Sequence, residues 1–264
     1  MLISAPPLVQ TWLWSLGGGV LCGFLNAAAS SGSAITLPLL LSLGLPPSVA
    51  NGTNRVGVLA GMVTAAWRFH RAGAIPWRLI GRLLPAFLGM AVLGAIIAAV
   101  LPMRGIRLLI DGALLLALLM VLLRPHRWLK DDGRDEANDP RPSPLLQVLM
   151  GGVGFWTGLI VLDAATYLLV ALVLIGGLSL PRANVIKVVL IGMATIASLV
   201  VFIAKGEIDW FASLPLLVGS ALGGWLGAAL ALGPNARLWI YRLLIGTLGL
   251  ETLGMLWHWL RALL

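Results

Sequence analysis

The sequence predicts an all-α polytopic membrane protein of two homologous halves, arranged as inverted repeats. Each half is a broken or re-entrant first helical segment followed by three transmembrane helices. Three observations predict this. First, 59% of the 264 residues are hydrophobic, only 11% are charged, and mean hydropathy is +0.99. Soluble domains carry roughly 25% charged residues, so this apolar surface belongs in a bilayer. Second, Ala50-Asn51, Gly73, Ile75 and Trp77 return as Ala183-Asn184, Gly206, Ile208 and Trp210, each displaced by 133 positions. Gly44 and Gly177, Gly94 and Gly227, and Arg104 and Arg237 keep the same displacement. Third, the first apolar segment of each half, 12–43 and 145–178, runs past thirty residues, whereas a helical span needs about 20.

The first repeat therefore covers 1–123, a charged cytoplasmic linker 124–144, and the second repeat 145–264. Residues 1–10 have no basic run, so no cleaved signal peptide is expected. Segment 12–43 carries Asn26, Ser30, Ser31, Gly32 and Ser33 at its midpoint, and 145–178 carries Asp163 and Thr166. Polar, irregular backbone at mid-membrane depth is tolerated only where protein or a cavity satisfies it. Two half-length helices forming a hairpin meet that condition; a single long, tilted helix is the competing reading.

Single spans follow at 48–69, 79–101 and 106–123, then at 183–204, 211–232 and 238–260. A hairpin returns to its own side, so each half makes three crossings and the second half sits upside down. Arg68, Arg71, Arg78 and Arg82 cluster in one loop, and Arg124, Arg127, Lys130, Arg134 and Arg141 in another. The positive-inside rule makes both cytoplasmic. The net charge of +8 reflects these loops, and no nucleic-acid partner is expected. Localisation is the cytoplasmic (inner) membrane, multi-pass.

Ionisable residues inside a membrane are costly and each needs a reason. Asp111 follows Arg107 by one turn and is expected to pair with it. Asp163, at a hairpin tip with no basic residue within a turn, is the candidate for proton coupling. Glu251 is expected to neutralise Lys187 or Arg55 across the bundle. The densest constellation follows the first hairpin: Pro46-Pro47 open a helix, and Asn51, Asn54 and Arg55 share one face of it. The second copy repeats the face with Asn184 and Lys187. Each copy thus puts an amide and a cation near a helix N-terminus, whose dipole favours negative charge. Asn51, Asn54, Arg55, Asn184 and Lys187 are the expected anion contacts, with Ser30, Ser31, Ser33 and Thr166 assisting from the hairpin tips.

Gly23-Phe24, Leu-Pro-Leu-Leu at 37–40, Leu-Gly-Leu-Pro-Pro at 43–47, Ala-Asn-Gly-Thr-Asn at 50–54 and Gly-Ala-Ile-Pro-Trp at 73–77 resemble the TauE/SafE sulfite exporter family. The resemblance covers nearly the whole chain apart from the linker and is tighter in the first half. It implies a secondary carrier for small sulfur-containing anions such as sulfite, thiosulfate or organosulfonates. The family pattern usually has a Gly-rich stretch where this chain has Asn26-Ala-Ala-Ala-Ser-Ser-Gly-Ser33.

The expected function is thus proton-coupled transport of a small anion by alternating access, with homo-oligomerisation left open. An anion channel and a carrier for a small carboxylate are the alternatives. An intramembrane hydrolase using Ser31 or Ser33 would need a base within reach, and no His falls at membrane depth. No enzyme activity, cofactor or metal is expected.

Overall fold

A computed structural model describes residues 8–29, 32–98, 118–119, 121–122, 125–129, 141–160 and 163–263. The expected Asp111–Arg107 pair, Ser30, Ser31 and most of the span at 106–123 lie outside the described residues. The described elements are helical throughout: α1 (Leu8–Ala28), α2 (Ser33–Ser42), α3 (Pro47–Arg71), α4 (Trp77–Ala98), α5 (Pro125–Leu129), α6 (Pro144–Leu159), α7 (Ala164–Val170, continued by a π turn over Ala171–Ile175), α8 (Leu180–Ala204), α9 (Trp210–Ala231) and α10 (Ala236–Leu263). Among the described residues, α4, α8 and α9 are long and apolar enough to cross a membrane by themselves.

The displacement of 133 reappears in helix boundaries. Adding it to Pro47–Arg71 gives Leu180–Ala204, and adding it to Trp77–Ala98 gives Trp210–Ala231. Local chemistry explains the coincidence. A proline sits in the first turn of both α3 and α8, where its missing N–H costs nothing. Gly44 and Gly177 precede those helices with φ of 88° and 69°, and Gly73 and Gly206 precede α4 and α9 with φ of 65° and 67°. A left-handed residue is cheap only without a Cβ, so the turns recur because their glycines do. Trp77 and Trp210 open α4 and α9 and are 55% and 56% exposed, as expected of rings anchored at a membrane–water boundary.

Both long first segments are broken. α1 ends at Ala28 and α2 begins at Ser33; α6 ends at Leu159 and α7 begins after Asp163. The breaks have different supports. In the first, the Gly32 N–H donates to Asn26 Oδ1 at 2.8 Å. In the second, Asp163 itself turns left-handed (φ 57°) and its carbonyl accepts from the N–H groups of Thr166 and Tyr167 at 3.0 and 3.2 Å. Asp tolerates that conformation better than most residues.

The two outer flanks are held by glycine. α1 runs alongside α9, with Trp12 against Phe211 at 5.2 Å between rings and Gly23 against the Ser220 backbone. α6 runs alongside α4, with Gly154 against Phe87 and Gly158 against Ala91. Gly94 of α4 faces the Phe155 carbonyl, and its counterpart Gly227 of α9 faces the Phe24 carbonyl. A Cβ at either position would overlap that backbone oxygen. Without a hydrophobic drive in lipid, helices associate through such small-residue contacts. Gly94→Val should therefore lower thermal stability by roughly 1–3 kcal/mol, the usual cost of overpacking. Measurement of melting in detergent checks this, with Gly89→Val, where nothing lies within 4 Å, as the neutral control.

α3 and α8 form the centre. Asn51 through Val58 of α3 and Ala183 through Ile191 of α8 are buried without interruption. Each helix is therefore wrapped on all sides by protein along its first half.

Candidate functional site

The buried second and third turns of α3 and α8 carry most of the polar residues that the sequence singled out. Arg55 and Lys187 have no exposed surface, and Asn51, Asn54 and Asn184 are buried beside them. Their partners lie across the molecule, in the other half. The two terminal nitrogens of Arg55 donate to the carbonyls of Thr157 at 3.2 Å and Gly158 at 2.7 Å. Asn51 Nδ2 donates to the Leu159 carbonyl at 3.4 Å. All three carbonyls belong to the last turn of α6. In the reciprocal arrangement, Asn184 Nδ2 donates to the Ala27 carbonyl at 2.8 Å, and Lys187 Nζ to the Ala29 carbonyl at 3.1 Å. Those carbonyls end α1.

The last four carbonyls of a helix have no partner within it, and together they amount to roughly half a negative charge. A helix that stops inside a membrane cannot give them to water. Each half thus supplies a cation and an amide that cap the broken helix of the other. Lys187 Nζ also donates to Asn184 Oδ1 at 2.7 Å, which fixes the amide's orientation. The Arg55 guanidinium lies over the Phe202 ring, 4.9 Å from its centre.

Asn54 works differently from its counterpart Lys187. Its amide donates to Ser33 Oγ at 3.1 Å, and its oxygen accepts from Thr36 Oγ1. It ties α3 to α2 of its own half. Thr166 is fully buried and its hydroxyl has no partner among the described residues; Asn51 Oδ1 and Arg55 Nε are likewise unmatched.

The charge balance is the most informative property of this centre. Among the described residues, no carboxylate pairs with Arg55 or Lys187. Two buried cations thus face two helix ends, each carrying about half a negative charge. The expected role of Glu251 as their neutraliser is overturned. Its carboxyl instead meets that of Asp163, at the tip of the second break. Tyr167 lies close to both acids and packs edge-on against Trp156, with 5.6 Å between rings. No local pattern links the two acids, which lie 88 positions apart in the chain.

The ends of the central helices differ. A vestibule of about 550 Å3 opens where Gly73–Pro76 meets Ser179, Arg182 and Val185 at the start of α8. It places Arg182 on the same side as the basic loop around Arg71 and Arg78. The opposite end, where Glu207–Asp209 meets the start of α3, is closed: a Cβ on Gly52 would overlap the Glu207 carbonyl, and Asp209 N–H donates to Thr53 Oγ1 at 2.9 Å.

Comparison with known proteins places this architecture. The family model for the sulfite exporter TauE/SafE matches residues 15–255. The chain belongs to that family. A probable membrane transporter protein of Haemophilus influenzae is 30% identical over 217 residues, covering 81% of this chain and 82% of the relative. The probable membrane transporter protein YfcA of Escherichia coli K12 is 26% identical over 228 residues, covering 83% and 80%. A third, ORF9 of a Sinorhizobium species, is 25% identical over 220 residues, covering 83% and 82%, and is also named a probable membrane transporter protein. No solved structure matches. This TauE/SafE member is thus a membrane transporter, and the crossed caps of α1 and α6 lie at the heart of its fold.

Proposed function

We propose that the chain is a secondary transporter that moves a small sulfur-containing anion, such as sulfite, thiosulfate or an organosulfonate, across the cytoplasmic membrane. The observation that carries this reading is the complete burial of Arg55 and Lys187, neither paired with a carboxylate among the described residues. A buried cation without a counter-ion is expensive, and a transient anion is the simplest ligand that relieves it. Asn51, Asn54, Asn184, Ser30, Ser31, Ser33 and Thr166 are the further substrate contacts in this reading. An oxyanion accepts several hydrogen bonds at once, and these groups are amides and hydroxyls. The sulfur preference comes from the family, since sulfite exporter is the description under which it is known.

Two further elements complete the reading. The halves act as inverted repeats that rock against each other around the central site. Its support is the crossed relation of the halves: α1 lies along α9 and α6 along α4, and each central helix caps the other half's break. Asp163 carries the coupling proton, supported by its buried contact with Glu251.

Ligand-dependent thermal stabilisation of the purified protein tests the substrate class. A ligand at a hundred times its Kd stabilises by about 2.7 kcal/mol, a clear shift in melting. Sulfite or thiosulfate should produce it, and the shift should vanish in Lys187→Met. Stabilisation by acetate or succinate, with none by the sulfur anions, would transfer the assignment to carboxylates.

A further inference from the structure

The two ends of the central helix pair occupy equivalent positions in the two halves, yet one carries a vestibule, the open mouth, and the other a close backbone contact, the shut mouth. Adding 133 pairs Ala74 with Glu207, Pro76 with Asp209, Gly52 with Val185 and Thr53 with Ile186. At the shut mouth, the Glu207 carbonyl approaches Gly52 so closely that no side chain fits, and Asp209 N–H donates to the buried Thr53 hydroxyl. At the open mouth neither contact has the chemistry it needs. Val185 carries a branched side chain where Gly52 has none. Pro76 has no N–H to donate, and Ile186 has no hydroxyl to accept.

We infer that Gly52, Thr53, Glu207 and Asp209 form a one-sided latch that closes the outer mouth and rests the empty carrier open to the cytoplasm. The inference rests on the alternating-access reading above. In that motion the inner mouth must close as the outer one opens, and the repeat supplies the same helix start and the same turn for both events. Only the outer pair can lock. The closed inner mouth has a valine in its seam and no hydrogen bond across it, so it is the less stable closure. Orientation follows from the basic loop: Arg68, Arg71, Arg78 and Arg82 flank the open mouth, which the positive-inside rule puts in the cytoplasm.

Cysteine accessibility tests the latch. In a Cys22→Ala background, which removes the chain's one native thiol, single reporters go at the equivalent positions: Glu207→Cys for the outer mouth and Ala74→Cys for the inner. A membrane-impermeant maleimide is applied to right-side-out and inside-out vesicles in separate experiments. Without further change, Ala74→Cys should label readily from the cytoplasmic side and Glu207→Cys slowly from outside. Thr53→Val removes the acceptor of the latch with little change in shape. It should raise outer labelling severalfold and lower inner labelling.

Gly52→Val, which copies Val185, should do so more strongly, and Val185→Gly should shift both reporters the opposite way. A rise at both reporters would mean general loosening and would overturn the latch, as would no change in Thr53→Val. The Thr53→Val arm stands even if Gly52→Val fails to fold. Labelling shifts as described, combined with no anion flux in any variant, would leave the latch in place and remove the substrate assignment instead.

Discussion

Lys187→Met should abolish anion uptake while leaving the protein folded and inserted. The side chain is fully buried, and methionine keeps its length and most of its apolar stem. What is lost is the charge and two hydrogen bonds, to the Ala29 carbonyl and to Asn184 Oδ1. Leaving a buried acceptor unsatisfied costs about 1–3 kcal/mol, so two set an upper range near the stability of a marginal domain. Removing an uncompensated buried charge returns part of that, because burial of the cation was itself unfavourable. The protein should therefore melt a few degrees lower and remain monodisperse.

Transport should respond far more. With Lys187 gone, the centre loses a basic group, and the helix end of α1 presents a bare negative pole to any entering anion. A loss of at least a hundredfold in sulfite uptake by proteoliposomes is expected. Lys187→Arg retains the charge but must fit a larger, planar group into a space with no free surface, and should recover only part of the rate. Uptake by Lys187→Met within a factor of three of the native protein would remove Lys187 from the site and leave it as a helix cap alone.

Much of this centre was legible in the sequence, for stated reasons. The recurrence of Asn-then-cation after a proline helix start located both buried faces, because helical periodicity puts i and i+3 together. The breaks were legible because segments of that length cannot be one ordinary span. The partners were not. Periodicity says that Asn51 and Arg55 share a face, but carries no information about which backbone that face meets. Carbonyls of Thr157, Gly158 and Leu159 look alike in a sequence whatever accepts their bonds. One overlooked signal was present: Gly52, between Asn51 and Thr53, has Val185 at its counterpart. A glycine in a helix interior costs about 1 kcal/mol against alanine, so its presence there pointed to a close backbone approach, here that of Glu207.

Asp163→Asn should separate transport from its driving force. Asparagine has the same shape and also tolerates the left-handed backbone that Asp163 adopts at φ 57°. The carbonyl bonds to Thr166 and Tyr167 N–H groups involve the backbone and survive the change. The break between α6 and α7 should therefore persist, and with it the carbonyls that Arg55 and Asn51 cap. What the change removes is the titratable carboxyl that the proposed coupling needs, since an amide donates a fixed N–H and cannot release it. Downhill exchange of labelled anion across proteoliposomes at equal pH should continue within a few-fold of the native rate. Accumulation driven by a pH gradient should fall to background. Glu251→Gln should give the same split, because either acid alone lacks a partner to share with, whereas a purely structural pair would lower exchange and accumulation together. The double variant should be no worse than either single one, since residues acting as one unit are not additive. Gradient-driven accumulation persisting in both single variants would place the coupling proton elsewhere and reduce the pair to a clasp between the second break and α10.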